Sequence, residues 1–124
     1  MKFKSGISVL ALALAASLVS PTPANAANKI CIAYDTGGLG DRSYNDATLA
    51  GLKKAQSQFT FAFESVVTDG TAADRSKRLR SLAAKKCEVI IAIGPEYKKT
   101  VEQLSVEFPA TQFAIIGDAS IQSL

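Results

Sequence analysis

The sequence predicts an α/β fold with an open parallel β-sheet and helices on both faces. The first observation is a set of four short runs rich in apolar, β-branched or aromatic residues, which are typical of strands. The second is that three segments with helical spacing of apolar residues separate these runs. The third is that Gly, Asp and Pro stand where the runs end, as expected of turns. Right-handed crossovers fold this β-α-β-α-β-α-β order into a parallel sheet.

The four predicted strands differ in how clearly they are marked. Residues 29–35 (KICIAYD) form an apolar run that ends in a carboxylate. Residues 60–68 (TFAFESVVT) are rich in β-branched and aromatic residues, which favour strands. The clearest buried strand is residues 87–94 (CEVIIAIG), and residues 112–118 (QFAIIGD) form the fourth.

Three helices are predicted between the strands. Ser43 can cap the first, with Asp46 at the reciprocal position of a capping box. The second covers residues 72–86, where apolar residues recur among charges. The third begins at Pro95 and continues to Phe108.

The N-terminus has the pattern of a secretory signal. Two lysines precede an apolar stretch at residues 7–19, and residues 24–26 (ANA) fit a cleavage site. The stretch is shorter than the roughly 18 to 20 apolar residues that span a bilayer. We therefore predict a signal peptide at residues 1–26 and a single domain at residues 27–124, secreted, periplasmic or associated with the cell envelope. We expect no stable membrane insertion after cleavage and find no Cys placed for lipidation.

Composition argues against several functions. The chain has 14 Lys and Arg, 11 Asp and Glu, and no His. Lack of His removes the usual base of a Ser or Cys triad and the commonest zinc ligand. The one dense basic run, residues 75–80, is interpreted as a solvated helix face, so no nucleic-acid binding is predicted. For Cys31 and Cys87 both a disulfide and buried free thiols stay open.

Candidate ligand-binding residues fall at the carboxyl ends of the predicted strands, where open α/β sheets bind ligands. They are the loop at residues 35–45, Gly94 after the third strand and Asp118 after the fourth. Taken singly, each is also explained by ordinary turn chemistry. Together they predict one cleft.

The loop YDTGGLGDRSYND (residues 34–46) can be tested against known ligand types. Its G-L-G-D-R-S segment matches only half of a dinucleotide fingerprint, and three Asp residues occupy the field where a phosphate would bind. A receiver-type Mg²⁺ site fails because Gly94 and Pro95 follow the third strand. Catalysis by paired carboxylates stays open in principle, without partner groups to support it. A neutral polyhydroxylated ligand with a flat ring, such as a nucleoside, fits these side chains best.

Three blocks, at residues 29–55, 89–94 and 108–118, resemble the basic membrane protein family. These are substrate-binding proteins of ABC transporters and include purine-nucleoside receptors. The D-x-G-G-x-x-D-x-S-aromatic-N-D loop is the most specific part of the resemblance. It implies a type I periplasmic-binding-protein fold, in which two α/β lobes close over a nucleoside. Residues 27–124 would then be an incomplete N-terminal lobe, whose last strand has an unpaired edge.

The resemblance also implies roles for individual residues. Tyr44 stands where the family usually has Phe and would stack on the base. Asn45 would bond the base edge, and Asp118 would bind ribose hydroxyls. The remaining cup residues are Asp35, Asp41, Ser43 and Gly94.

The sequence therefore predicts the substrate-binding component of an ABC transporter, in truncated form, with a purine nucleoside as ligand. A transporter permease would be its partner if the protein were full length. No catalytic residue, metal or cofactor is expected. The alternative is a stand-alone α/β interaction or sensor domain that binds a protein.

Overall fold

A computed structural model describes residues 28–120, so the predicted signal peptide lies outside the described residues. Strands and helices alternate in the predicted order, with a short 3₁₀ helix at Pro95–Tyr97 before the last helix. The α/β prediction is confirmed. The elements are β1 (Lys29–Tyr34), α1 (Tyr44–Gln56), β2 (Ala62–Val67), α2 (Ala72–Ala84), β3 (Val89–Ile93), α3 (Lys98–Glu107) and β4 (Gln112–Ile116).

The four strands form one parallel sheet in the order β2-β1-β3-β4. After β1 the chain passes through α1 and adds β2 on one side of β1. It then returns through α2 and adds β3 and β4 on the other side. The order therefore reverses between β1 and β3, which is where a ligand crevice forms in such sheets. Among the described strands β4 has β3 as its one neighbour, as the predicted unpaired edge requires.

The two faces of the sheet are covered unequally. Helices α2 and α3 bury one face, where Leu79, Leu82 and Leu104 pack over the central strands. Helix α1 covers the other face, and its Leu52 is the one buried apolar residue it contributes there. Between α1 and the sheet lies an open apolar groove of about 420 Å³.

Cys31 and Cys87 form a disulfide in the larger core, with their Cα atoms 5.9 Å apart. Both residues are fully buried. The bond joins β1 to the residue that precedes β3 by two positions, and it decides between the two states that the sequence left open. The centre of the sheet is thus covalently tied.

Candidate functional site

The ends of β1, β3 and β4 converge at one rim. Asp35 follows β1, Gly94 follows β3, and Gly117 and Asp118 follow β4. A Cβ atom built on Gly94 would lie 3.0 Å from Asp35 Oδ2, and one on Gly117 would lie 3.9 Å from Gly94 Cα. The structure thus brings together the strand-end residues that the sequence placed in one cleft.

Helix α1 is capped by Asp41. Its carboxylate accepts hydrogen bonds from the N–H groups of Ser43 (2.8 Å), Asn45 (3.1 Å) and Asp46 (3.1 Å). Desolvation raises the pKa of Asp41, but these three bonds outweigh it and hold the pKa below its ordinary value. The loop therefore carries an ionised carboxylate at the positive end of the helix.

The predicted capping box is wrong. The Ser43 side chain makes no cap hydrogen bond, and Ser43 is exposed. Asp46 instead accepts bonds from the N–H groups of Gly40 (2.7 Å) and Arg42 (2.9 Å). The reason is competition. The Asp41 carboxylate already accepts the hydrogen bonds of the N–H groups that a Ser43 hydroxyl would bind.

Asn45 is buried, with 1% of its surface exposed. Its Oδ1 accepts from the Asp35 N–H (3.2 Å), and its Nδ2 donates to the carbonyl oxygen of Gly38 (2.9 Å). Both ends of the amide are thus used to fold the loop back onto β1. In this arrangement Asn45 positions the loop, and the predicted bond from Asn45 to a base edge is not supported.

Tyr44 is the first residue of α1 and is 58% exposed. Tyr44 helps to line the apolar groove, together with Ala47 and Thr48. Tyr44 is the one predicted site residue that lines this groove. More than half of its surface is accessible to solvent.

Asp118 is held by the chain that follows it. Its Oδ1 accepts from the N–H (2.7 Å) and the hydroxyl (2.6 Å) of Ser120. The same hydroxyl oxygen accepts a bond from Lys98 Nζ at 2.7 Å. The two Ser120 bonds, helped by the positive charge of Lys98, lower the pKa of Asp118.

Arg75 is a site residue that the sequence analysis missed. Its Nη2 lies 3.2 Å from Asp35 Oδ1, and its Nη1 donates to the carbonyl oxygen of Gly70 at 2.8 Å. Arg75 is 9% exposed, so the interpretation of residues 75–80 as a solvated face is wrong at this position. The helical periodicity of the sequence could have indicated this burial, because Arg75 lies on the same face of α2 as the buried Leu79 and Leu82.

Tyr97 completes the buried side of the rim. Its ring lies under the Arg75 guanidinium, 5.4 Å from centroid to Cζ, and its hydroxyl donates to the carbonyl oxygen of Tyr34 at 3.2 Å. Burial is the main reason why the pKa of Tyr97 rises to about 12. The ring of Tyr97 and the Arg75 guanidinium thus lie directly behind the Asp35 carboxylate.

Residues 28–120 contain no group of three or more His, Cys, Asp or Glu side chains that could hold a metal ion. In the same range no helix has the length and hydrophobicity needed to span a bilayer.

The chain matches a known family over most of its length. The Bmp family, described as ABC transporter substrate-binding protein PnrA-like, matches residues 29–123. The chain belongs to this family. PnrA-like proteins bind substrates for transporters and are not enzymes, so two predictions, the family and the lack of enzymatic activity, are confirmed.

Curated relatives are much longer than this chain. An uncharacterized lipoprotein of Pyrococcus furiosus is 27% identical in an alignment of 93 positions that covers 74% of this chain and 23% of that protein. A CD4+ T-cell-stimulating antigen of Listeria monocytogenes serovar 1/2a is 29% identical in an alignment of 94 positions that covers 72% of this chain and 26% of that protein. This PnrA-like chain spans about a quarter of the length of these relatives.

A solved structure supports the same fold. A solute-binding protein of an ABC transporter system from Aeropyrum pernix K1 superposes with a TM-score of 0.68 at 20% identity, over 76% of this chain and 25% of that one. The four-stranded sheet and its helices thus correspond to part of a solute-binding protein. This likeness concerns the fold alone.

Proposed function

We propose that the chain binds a nucleoside, with a purine base, at the rim formed by the ends of β1, β3 and β4. Residues 27–124 would act as the incomplete N-terminal lobe of an ABC transporter substrate-binding protein. The observation that carries the proposal is the exposed ring of Tyr44, one residue from Asn45, whose amide ties the loop to Asp35. An aromatic face near carboxylates suits a ligand with both a flat ring and hydroxyl groups.

The charges around the rim support a neutral ligand. The Asp35 carboxylate has the Arg75 guanidinium as its ion-pair partner. Asp118 lies within the field of Lys98, and both side chains bond to Ser120. Asp35 and Asp118, the two acids that follow β1 and β4, therefore each have a cation nearby, and both offer oriented acceptor oxygens. Carboxylate oxygens in such positions can accept hydrogen bonds from sugar hydroxyls.

We propose the following roles for individual residues. Tyr44 stacks on the base, and Asp118 accepts hydrogen bonds from ribose hydroxyls. Gly94 lets the ligand approach the backbone beside Asp35. The supporting residues of the cup are Asp41, Ser43 and Asn45, which shape the loop.

The test is a titration of the exported chain, purified from the periplasm of a Gram-negative host, with adenosine, guanosine and uridine. Amide NMR spectra detect weak binding, which is expected because one lobe contacts one side of a ligand. We expect saturable shifts in the loop and at the strand ends with the purine nucleosides. Absence of saturable shifts with every nucleoside would contradict the proposal.

The variant Tyr44→Ala should weaken purine-nucleoside binding about 5- to 150-fold, because base stacking on an aromatic side chain contributes about 1–3 kcal/mol. Tyr44→Phe keeps the ring and should change the affinity by less than about threefold. Phe59→Ala is the matched control, since Phe59 lies just beyond the other end of α1 and is 66% exposed. Equal losses in Tyr44→Ala and Phe59→Ala would argue against stacking at Tyr44.

We also propose that the chain is exported and acts with a transporter permease. The disulfide between Cys31 and Cys87 supports an oxidising compartment, where such bonds persist. The P. furiosus relative is named a lipoprotein. Cell fractionation followed by N-terminal sequencing should give a periplasmic product that begins at Ala27. A cytoplasmic product with both thiols reactive would contradict export.

A further inference from the structure

We infer that Arg75 is a positioning residue for the ligand: it holds one oxygen of Asp35, so that the other oxygen, beside Gly94, is presented at the rim. This inference rests on the proposed function. It adds a residue from the buried face of α2, remote in sequence from the loop, to the machinery that sets ligand affinity.

The first step is that Arg75 is itself fixed. One terminal nitrogen, Nη1, donates to the carbonyl oxygen of Gly70, at 2.8 Å. The guanidinium lies over the ring of Tyr97, 5.4 Å from its centroid, and the ring is anchored by its hydroxyl bond to the Tyr34 carbonyl. A planar guanidinium held at one end by a carbonyl and on one face by a ring has little freedom. Its second terminal nitrogen therefore has a defined direction.

The second step is that this nitrogen selects one oxygen of Asp35. Nη2 lies 3.2 Å from Oδ1. The other oxygen, Oδ2, would lie 3.0 Å from a Cβ on Gly94, at the same distance as Glu96 Oε2. The carboxylate is thus bonded from the core side, and its second oxygen lies against a residue with no side chain. Asp35 would otherwise rotate about its terminal torsion, which is broad for this residue type.

The third step concerns what lysine could do in place of Arg75. An ammonium group is a single point charge on a flexible stem, so it cannot bond the Gly70 carbonyl and Asp35 in a fixed fork while stacking on Tyr97. Arg75→Lys should keep the charge balance of the rim but lose most of the orientation. The two contributions of Arg75 can therefore be separated.

The experiment measures adenosine affinity of the exported chain by amide NMR for the wild type, Arg75→Gln, Arg75→Lys and Asp35→Asn. We expect Arg75→Gln to weaken binding about tenfold or more, in line with loss of a hydrogen bond to a charged group. In the Asp35→Asn background the same change should cost less than about twofold, because there is no carboxylate left to orient. Arg75→Lys should recover only part of the loss.

Arg78→Gln is the matched control. Arg78 lies about one turn further along α2 and pairs with Asp74 rather than Asp35. The Arg78→Gln variant therefore removes the same positive charge as Arg75→Gln without touching Asp35. It should leave adenosine affinity within about twofold of the wild type. Circular dichroism at the titration temperature identifies any variant that does not fold. If Arg75→Gln does not fold, the adenosine affinity of Arg75→Lys decides, and wild-type affinity in Arg75→Lys would contradict the inference.

A ligand-free measurement separates the inference from the proposed function. In the wild type the terminal N–H signals of Arg75 should be resolved and should move in Asp35→Asn but not in Asp74→Asn. Wild-type chain that binds no nucleoside overturns the proposed function and, with it, the role of Arg75 in binding. Wild-type chain that binds adenosine while Arg75→Gln binds equally well overturns the inference alone. Arg75 signals that do not respond to Asp35→Asn overturn the inference whatever the ligand result.

Discussion

The backbone of Gly94 passes so close to the Asp35 carboxylate that a single added Cβ atom at Gly94 would lie 3.0 Å from Asp35 Oδ2. Gly94 also has a φ angle of +114°, which side-chain-bearing residues rarely adopt. The junction between β3 and the 3₁₀ helix therefore needs glycine for two independent reasons. Both reasons bear on the rim, because Asp35 belongs to it.

Gly94→Ala should lower the free energy of unfolding by about 1–3 kcal/mol, because the new side chain is strained in this conformation. It should also weaken ligand binding by displacing Asp35. Urea denaturation followed by circular dichroism gives the stability change. A fully stable Gly94→Ala variant would show that the junction relaxes without strain.

Gly51→Ala is the control for the previous substitution. Gly51 lies within α1, and a Cβ atom there would meet nothing within 4 Å. Alanine has the higher helix propensity, so the free energy of unfolding should rise by about 0.5–1 kcal/mol. The two Gly→Ala changes should thus have opposite signs in the same denaturation assay.

Reduction of the disulfide should strongly destabilise the chain. Cys31 and Cys87 are 56 residues apart, and closing a loop of this length in the unfolded chain corresponds to about 4 kcal/mol in the chain-entropy estimate. Urea midpoints with and without dithiothreitol measure the effect. The variant Cys31→Ala/Cys87→Ala should not respond to the reductant, and an equal response would assign the effect to another cause.

Acid should remove the stabilisation that Asp41 gives to α1. The folded-state pKa of Asp41 lies below its ordinary value of 3.8, so ionised Asp41 stabilises the fold fully above that value. The contribution is lost as the pH falls through the lower, folded-state pKa. Melting temperatures of the wild type and Asp41→Asn should therefore differ at pH 7, and the difference should shrink as the pH falls below 3.8 and through the folded-state pKa. Ser43→Ala, which removes no cap bond, should melt like the wild type across this range.

Alkali should act on Tyr97. Its folded-state pKa is about 12, against an ordinary value of 10.0. The stability that comes from this raised pKa is complete below pH 10.0 and is lost as the pH rises towards 12. The wild type should therefore lose more stability than Tyr97→Phe between these pH values, as measured by urea denaturation. Tyr44→Phe, at an exposed position, should follow the wild type.

At neutral pH Tyr97→Phe should be less stable than the wild type by about 1 kcal/mol, because the Tyr34 carbonyl loses its hydroxyl partner. The same denaturation curves provide this value. A wild-type-like Tyr97→Phe at every pH would mean that the hydroxyl bond does not contribute.

The sequence by itself determined the order of strands and helices and the family. Apolar periodicity and glycine, aspartate and proline at the element ends are local signals, and they sufficed to place Asp35, Gly94 and Asp118 at one edge of the sheet. The loop from Asp35 to Asp46 was recognised because its spacing of glycines and acids is specific. Each of these conclusions depends on residues that are near one another in the chain.

Only the tertiary structure decided which polar groups face each other. Arg75 is 40 residues from Asp35 and lies within a run of basic residues, so its charge suggested solvent while its helical face directed it to the core. Asn45 was expected at the ligand, and the fold uses its amide to close the loop. The disulfide was equally undetermined, because Cys31 in β1 and Cys87 just before β3 come together only once the order of the strands in the sheet is known. Hydrogen-bond partners and ion pairs depend on distances across the sheet, which local sequence patterns do not encode.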